Sequence, residues 1–202
     1  IYDDRAAGLN AMWRRCVELS DQADVVVVLN DDVYLPPHWL ESIVQVFTRN
    51  PQVVLTGIPA DGVWHDKNRA KERWFTDPSL FEDGHIWDQA ANIKYEPWTS
   101  GFCWACRPRE WLDAGGIDPG LWFGYGEPSM GLNCLKAGYG VTSIYKPTMW
   151  HYGGGSFHTV HDDVQRSLFF SRNAAGDSTS FAAIHGTSEL GELYSQWQAR
   201  AF

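Results

Sequence analysis

The stretch Ala23–Leu29, read as ADVVVVL, decides the fold, and it runs directly into Asn30, Asp31 and Asp32. An apolar, β-branched run of this length is typical of a strand that is buried on both faces, as the central strands of parallel sheets are. The three polar residues end the run. We therefore expect a central parallel strand whose carboxyl end carries two adjacent carboxylates.

The sequence on both sides of this strand alternates between helix and strand patterns. Apolar residues recur at helical spacing in Asp4–Leu19, and a second helix is predicted to open at Pro36-Pro37, because proline is tolerated in a first turn. A further strand is predicted at Val53–Leu55. The predicted buried faces hold Ala6, Leu9, Trp13, Cys16 and Val17 in the first helix and Leu40, Ile43, Val44 and Phe47 in the second. This alternation predicts an α/β fold with helices on both faces of a mostly parallel sheet.

The rest of the chain is predicted to belong to the same single domain, residues 1–202. No period is visible over residues 59–98, so we expect an irregular insertion or acceptor loop there, with one short helix at Lys67–Trp74. A helical extension is expected over residues 160–202. The remaining patterns predict strands at Ser100–Arg107 and Val141–Tyr145, helices at Pro108–Ala114, Gly131–Ala137, Val160–Arg172 and Ser188–Ala199, and a glycine-rich turn at Trp150–Phe157.

Composition and charge exclude several classes of function. The formal net charge is −9, which disfavours a protein that binds nucleic acid by neutralising phosphates. The longest strong apolar run, Val25–Leu29, is far shorter than the roughly 20 residues that span a bilayer, and no signal peptide is visible. Four cysteines are too few for a disulfide scaffold. We therefore expect a reducing, cytoplasmic location.

Three polar groups are candidates for chemistry. Asp31 and Asp32 follow the apolar strand, where ligands bind in open α/β sheets, and a hard divalent cation would suit them. His151 precedes three consecutive glycines, which allow the backbone to approach a ligand closely. Glu127 lies among aromatic residues and glycines, where a raised pKa would suit a general base. The alternatives are a solvated turn for the aspartates, a structural histidine, and a glutamate that favours a helix dipole.

These motifs together resemble the family 2 glycosyltransferases and their relatives with the GT-A fold. Their order and spacing over roughly 150 residues carry the resemblance more than any single motif does. The matching landmarks are Leu29–Val33 followed by Pro36-Pro37, Gly101–Arg109, Gly115–Asp118, Phe123–Glu127, Ala137–Tyr139, and His151 with Gly154 and Ser156. The resemblance implies a GT-A type α/β domain that lacks the two strand–helix units with which the family usually begins.

The resemblance also implies a metal and donor site. Asn30-Asp31-Asp32 takes the place of the family's DxD motif, and Asp32 would be a ligand of Mn²⁺ or Mg²⁺. Asp31 would face the donor's ribose or the metal through a water, and Asn30 departs from a strict DxD. His151 matches the late histidine that completes the metal site. The donor-binding segment before the strand is matched in part by Gly8 and Asn10.

Glu127 lies where the family has the Glu-Asp pair that supplies its catalytic base. Aligned on Tyr125-Gly126, Glu127 is the first member of the pair, and Pro128 replaces the aspartate. Counted back from Ala137-Gly138, Glu127 is the second and catalytic member. We favour this second alignment, because it leaves a carboxylate where the reaction needs one.

Sugar contacts are expected from aromatic residues near these motifs. The chain has eleven tryptophans, of which most are expected in the core and two or three as flat platforms for sugar rings. The candidates for acceptor or sugar binding are Trp98, Gly101, Trp122 and Tyr125.

The resemblance implies a metal-dependent, inverting glycosyltransferase. It would move a hexosyl group from a UDP- or GDP-sugar to a hydroxyl of a glycan or another acceptor. Two alternatives remain, an inactive GT-A-like module that binds carbohydrate or protein, and a hydrolase of nucleotide sugars.

Overall fold

The computed structural model describes residues 8–35, 37–58, 93–144, 149–151 and 175–201. The helices are α1 (Gly8–Glu18), α2 (Trp39–Arg49), α3 (Pro108–Asp113), α4 (Gly126–Lys136), α5 (175–185) and α6 (Leu190–Ala201). The strands are β1 (Val26–Leu29), β2 (Val33–Tyr34), β3 (Val53–Gly57), β4 (Ile93–Tyr95), β5 (Cys103–Cys106), β6 (Gly140–Ile144) and β7 (Trp150–His151). No helix among these residues is long and apolar enough to cross a membrane.

The described strands form a five-stranded sheet in the order β1-β5-β3-β6-β4 and a separate β2-β7 pair. The predicted α/β class is confirmed, but the sheet is mixed rather than mostly parallel. Only β3 and β6 pair in parallel among these strands, while β5 runs antiparallel to both β1 and β3 and β4 runs antiparallel to β6. The reason is that β5 inserts between two strands that run in the same direction.

This insertion changes the environment predicted for β1. The strand lies at one end of the described sheet and pairs only with β5, so it is not the central strand that its apolar sequence predicts. Its residues are half-buried or exposed, with Leu29 38% exposed. The fully buried strands are β3 and β5 instead.

Helices cover both faces of the sheet, as predicted. Alternate residues of β5 point to opposite faces, so Cys103 and Ala105 join one buried cluster while Trp104 and Cys106 join the other. The first cluster is built with α2. The second is built with α1, α3, α4, α5 and α6, through Trp13, Val17, Trp111, Met130, Cys134, Phe181 and Leu193.

The helix faces differ from their predictions in detail. In α1, Trp13 and Val17 are buried as expected, but Cys16 is exposed and Asn10 is 1% exposed. In α2 the buried residues are Ser42, Ile43, Val46 and Phe47, whereas Leu40 and Val44 are nearly half exposed. The face of α2 that packs on the sheet is therefore the one that carries Ser42. Burial of Ser42 is tolerated because its hydroxyl donates a hydrogen bond to the His38 carbonyl at 3.0 Å.

Element boundaries also differ from the predictions at two places. The segment 59–98 contains the strand β4 at its end, and α4 begins five residues before the predicted Gly131. The tight start of α4 is set by Tyr125, whose φ of 58° lies in the left-handed region. The helices predicted at Lys67–Trp74 and Val160–Arg172 and most of the turn at Trp150–Phe157 lie outside the described residues.

A polar network ties α4 to α5 through Asp118. Its carboxylate accepts hydrogen bonds from Ser129 at 2.7 Å, Asn133 at 3.1 Å and His185 at 2.8 Å. Lys136 Nζ lies 3.0 Å from His185 Nδ1, and an ammonium can only donate, so His185 must donate to Asp118 through Nε2. Burial alone would raise the pKa of Asp118, but these hydrogen bonds prevail and hold it at about 2.

Candidate active site

Strand pairing brings Asp32 and His151 together across 119 positions of sequence. β2 begins at Val33, which pairs with His151 in β7, so the residue before Val33 lies beside the histidine. The Oδ1 atom of Asp32 is 3.1 Å from His151 Nε2, and the Asn30 amide nitrogen is 3.4 Å from the same imidazole atom. The imidazole stacks on Phe102 with ring centroids 4.5 Å apart. Two of the predicted ligands, together with Asn30, are therefore adjacent.

The 3.1 Å between these two atoms is an ordinary hydrogen-bond distance, and it is also compatible with a shared octahedral cation. Two neighbouring ligands at about 2.1 Å from one such ion lie about 3.0 Å apart, close to the observed 3.1 Å. One carboxylate oxygen and one imidazole nitrogen are also acceptable donors for Mn²⁺. Within the described ranges no group of three or more His, Cys, Asp or Glu residues is assembled. The protein part of such a site would thus be small.

A cleft of about 460 Å³ opens beside this pair. It is lined by residues from α1, from the end of β1, from the segment between β4 and β5, from β7, and from the starts of α4 and α6. These residues are Leu9, Trp13, Asn30, Trp98, Thr99, Ser100, Gly101, Phe102, Phe123, Glu127, Pro128, His151 and Leu190. The cleft therefore joins the histidine of the Asp32 pair to the predicted base, Glu127.

Glu127 occupies the first turn of α4 and is half-buried. Burial raises the pKa of Glu127 above its ordinary value, and a hydrogen bond from its own backbone N–H partly offsets that effect. Its carboxylate lies against Gly101, where an added Cβ would collide with Oε1. A buried carboxylate with a raised pKa in a cleft has the properties of a proton acceptor.

The loop that precedes Glu127 is fixed by Asp177 of α5. This carboxylate accepts hydrogen bonds from three consecutive backbone N–H groups, those of Trp122 at 2.7 Å, Phe123 at 2.8 Å and Gly124 at 2.6 Å. Asp177 is 3% exposed, so the contact is shielded from water. No local sequence pattern indicates this role, because the partners are 53 to 55 positions apart.

The residues predicted to bind the donor from α1 are instead packed against the same loop. Asn10 donates to the Gly124 carbonyl at 2.9 Å, and its side chain lies against Gly126. Gly8 has a φ of 69° and faces Trp122, so a side chain there would meet the Trp122 carbonyl and ring. Both residues support the start of α4, and their predicted donor contacts remain predictions.

The predicted sugar contacts divide into two groups. Trp98 and Gly101 line the cleft beside Glu127. Trp122 and Tyr125 are not among its lining residues; Tyr125 stacks on Phe181 with centroids 4.7 Å apart, and Trp122 is 36% exposed. Asp31 is exposed on the turn that carries Asp32. The cleft also includes Thr99 and Leu190, which no sequence motif indicated.

Comparison with solved structures defines the class of this domain. A crystal structure of GalNAc-T7 with UDP, GalNAc and Mn²⁺ matches with a TM-score of 0.54 at 12% identity. The match covers 75% of this chain and 31% of that chain, so this chain spans about a third of the neighbour's length. The domain accordingly has the GT-A glycosyltransferase fold.

Comparison with family profiles assigns the family. Residues 4–109 match Glycosyl transferase family 2, and the chain belongs to this family. The matched range includes Asp32, whereas Glu127 and His151 lie beyond it. No curated protein matches the chain.

Proposed function

We propose that this domain is a metal-dependent, inverting glycosyltransferase that moves a hexosyl group from a nucleotide-diphosphate sugar to an acceptor hydroxyl. The observation that supports the proposal is the cleft, whose lining includes the carboxylate of Glu127 and the imidazole of His151, which contacts Asp32. Family membership supports glycosyl transfer in general. The neighbour with UDP, GalNAc and Mn²⁺ supports a UDP-sugar and a manganese ion in particular.

The Asp32–His151 pair is proposed to act on the donor. Asp32 and His151 would hold Mn²⁺ or Mg²⁺, which supplies positive charge to the leaving diphosphate. The Phe102 ring keeps the imidazole in place, because the two rings stack at 4.5 Å. Asn30 lies 3.4 Å from the same imidazole nitrogen and helps to orient it.

Glu127 is proposed to act on the acceptor. Its carboxylate takes the proton of the acceptor hydroxyl while that oxygen forms a bond to the anomeric carbon. The bond from the anomeric carbon to the diphosphate oxygen breaks in the same step, so the configuration inverts. Burial suits Glu127 to this task, because a raised pKa makes it a stronger base than an exposed glutamate.

Calorimetry with UDP and with GDP, each with and without Mn²⁺, tests the donor site. We expect metal-dependent binding of one nucleotide in the wild-type chain and a loss of roughly tenfold or more in Asp32→Ala, since one charged ligand of the ion is removed. Asp24→Ala is the matched control, because Asp24 is an exposed carboxylate that precedes the same strand β1.

The outcomes separate the alternatives. Failure of both nucleotides to bind would contradict the proposal and favour an inactive binding module. Release of free sugar from a UDP-sugar in the absence of any acceptor would favour the hydrolase.

A further inference from the structure

The helix α6 extends from the active-site cleft to a second cavity. Leu190, Tyr194, Trp197 and Gln198 recur at the spacing of one helix face. Leu190 lines the cleft that contains Glu127. The other three line a separate cavity of about 620 Å³. One side of α6 therefore borders both spaces.

The segment that begins at the end of β4 faces α6 and also borders both spaces. Tyr95 and Glu96, at the end of β4, line the second cavity, and Trp98, two residues further on, lines the cleft. The rings of Trp98 and Tyr194 have centroids 6.1 Å apart, and those of Tyr194 and Trp197 have centroids 5.7 Å apart. These three rings form an aromatic row that lies between the cleft and the second cavity.

Polar side chains are fixed around this row. Tyr194 donates to one oxygen of Glu96 at 3.3 Å, and Lys94 contacts the other oxygen at 2.6 Å. Tyr95 is 44% exposed, and its hydroxyl accepts from Gln52 at 2.7 Å. A carboxylate oxygen can accept more than one hydrogen bond, so Glu96 retains capacity for a ligand hydroxyl. The charges of Lys94 and Glu96 balance, so the cavity favours a neutral ligand.

We propose that this groove, formed by Tyr95, Glu96, Trp98, Tyr194, Trp197 and Gln198, binds a neutral oligosaccharide acceptor. The proposal rests on the proposed glycosyltransferase function. Flat apolar faces next to fixed hydrogen-bonding groups match a sugar ring, which has C–H faces and a rim of hydroxyls. The eight helical steps from Leu190 to Gln198 span about 12 Å, which is longer than one sugar ring. The terminal sugar lies near Glu127, and the next units lie on the aromatic row.

The proposal predicts that affinity depends on acceptor length. The probes are glucose-, galactose- and N-acetylglucosamine-based oligosaccharides of one and of four units, titrated by calorimetry in the presence of UDP and Mn²⁺. We expect one tetrasaccharide to bind more tightly than its monosaccharide. Trp197→Ala should weaken the tetrasaccharide roughly 2- to 10-fold and leave the monosaccharide unchanged. Trp197→Phe, which keeps a flat ring, should restore most of the difference.

Two further variants test whether the effect of Trp197→Ala on binding is merely structural. Tyr95→Ala should reproduce the loss of length dependence, and it removes a side chain that is nearly half exposed. Gln196→Ala is the control, because Gln196 lies on α6 but lines a different cavity between α4, α5 and α6.

Each outcome assigns the failure to one proposal. Nucleotide binding without length dependence in any sugar series would overturn the groove and leave the proposed function standing. Length-dependent sugar binding without nucleotide binding would support the groove and overturn the proposed function. Preference for an unglycosylated peptide, lost in Trp197→Ala and in Tyr95→Ala, would overturn the sugar assignment.

Discussion

Two carboxylates meet the helix α4 and have opposite properties. Asp118 accepts hydrogen bonds from Ser129, Asn133 and His185, which outweigh burial and hold its pKa at about 2. Glu127 lies in the first turn of the same helix, and there burial prevails and raises the pKa. The difference shows that burial alone does not decide how a carboxylate behaves. Donors make Asp118 a stable anchor, whereas burial in the cleft leaves Glu127 ready to accept a proton.

The largest effect is expected from substitution of Glu127. Glu127→Gln should lower the rate of sugar transfer by roughly 100- to 10,000-fold, because it removes a general base. It should also raise the free energy of unfolding near neutral pH, because it removes a buried charge. The rate of sugar transfer is measured by product formation, and the free energy of unfolding is measured by urea denaturation of the same sample.

Two further measurements qualify this result. Glu41→Gln changes an exposed glutamate in α2 and should alter neither quantity. Nucleotide affinity should be unchanged in Glu127→Gln. If that variant transferred sugar at the wild-type rate, Glu127 would not be the base.

A smaller effect, on stability, is expected from substitution of Asp118. Asp118→Asn should lower the free energy of unfolding by about 2 to 3 kcal/mol, because hydrogen bonds to a charged acceptor are lost. Asp113→Asn, an exposed change at the end of α3, is the control and should stay within about 0.5 kcal/mol. Equal losses in the two variants would mean that the Asp118 network contributes little. In the double variant with His185→Gln, the two losses should be less than additive, because both residues belong to one network.

The smallest expected effect is the pH dependence of the free energy of unfolding, which should differ in sign between the two carboxylates. The folded pKa of Asp118 is below its ordinary value of 3.8, so its contribution is present above about pH 4 and is lost as the pH falls toward 2. This amounts to roughly 2 kcal/mol. The sign is reversed for Glu127, whose folded pKa is raised. The gain in stability of Glu127→Gln should therefore appear only as the pH rises through that folded pKa.

Urea denaturation of wild type and both variants across the acid range checks these signs. The difference between wild type and Asp118→Asn should shrink toward pH 2. The difference between Glu127→Gln and wild type should grow with rising pH. A gain from Glu127→Gln that is constant with pH would show that its origin is not the charge.

The sequence predicted those features that local patterns encode. The apolar run before Asn30 predicted β1, and helical periodicity predicted α1 and α2. The order of motifs led to the prediction that Asp32, Glu127 and His151 share a site. Direction of pairing is not encoded locally, because a buried strand such as Cys103–Cys106 has the same composition in either direction. The structural roles of Asp177 and His185 were not predicted from the sequence, for a related reason. Their partners are 53 to 67 positions away, and nothing near them in the sequence marks the contact.

The position of β5 has a consequence for how the chain folds. It lies between β1 and β3, yet both of those strands leave the ribosome well before it does. Until Cys103–Cys106 is synthesised, the first two strands of the sheet have no shared neighbour, and their apolar edges stay open. Contacts between distant segments slow folding and expose such edges to aggregation. A chaperone that holds the first hundred residues during synthesis should therefore increase the yield of folded protein.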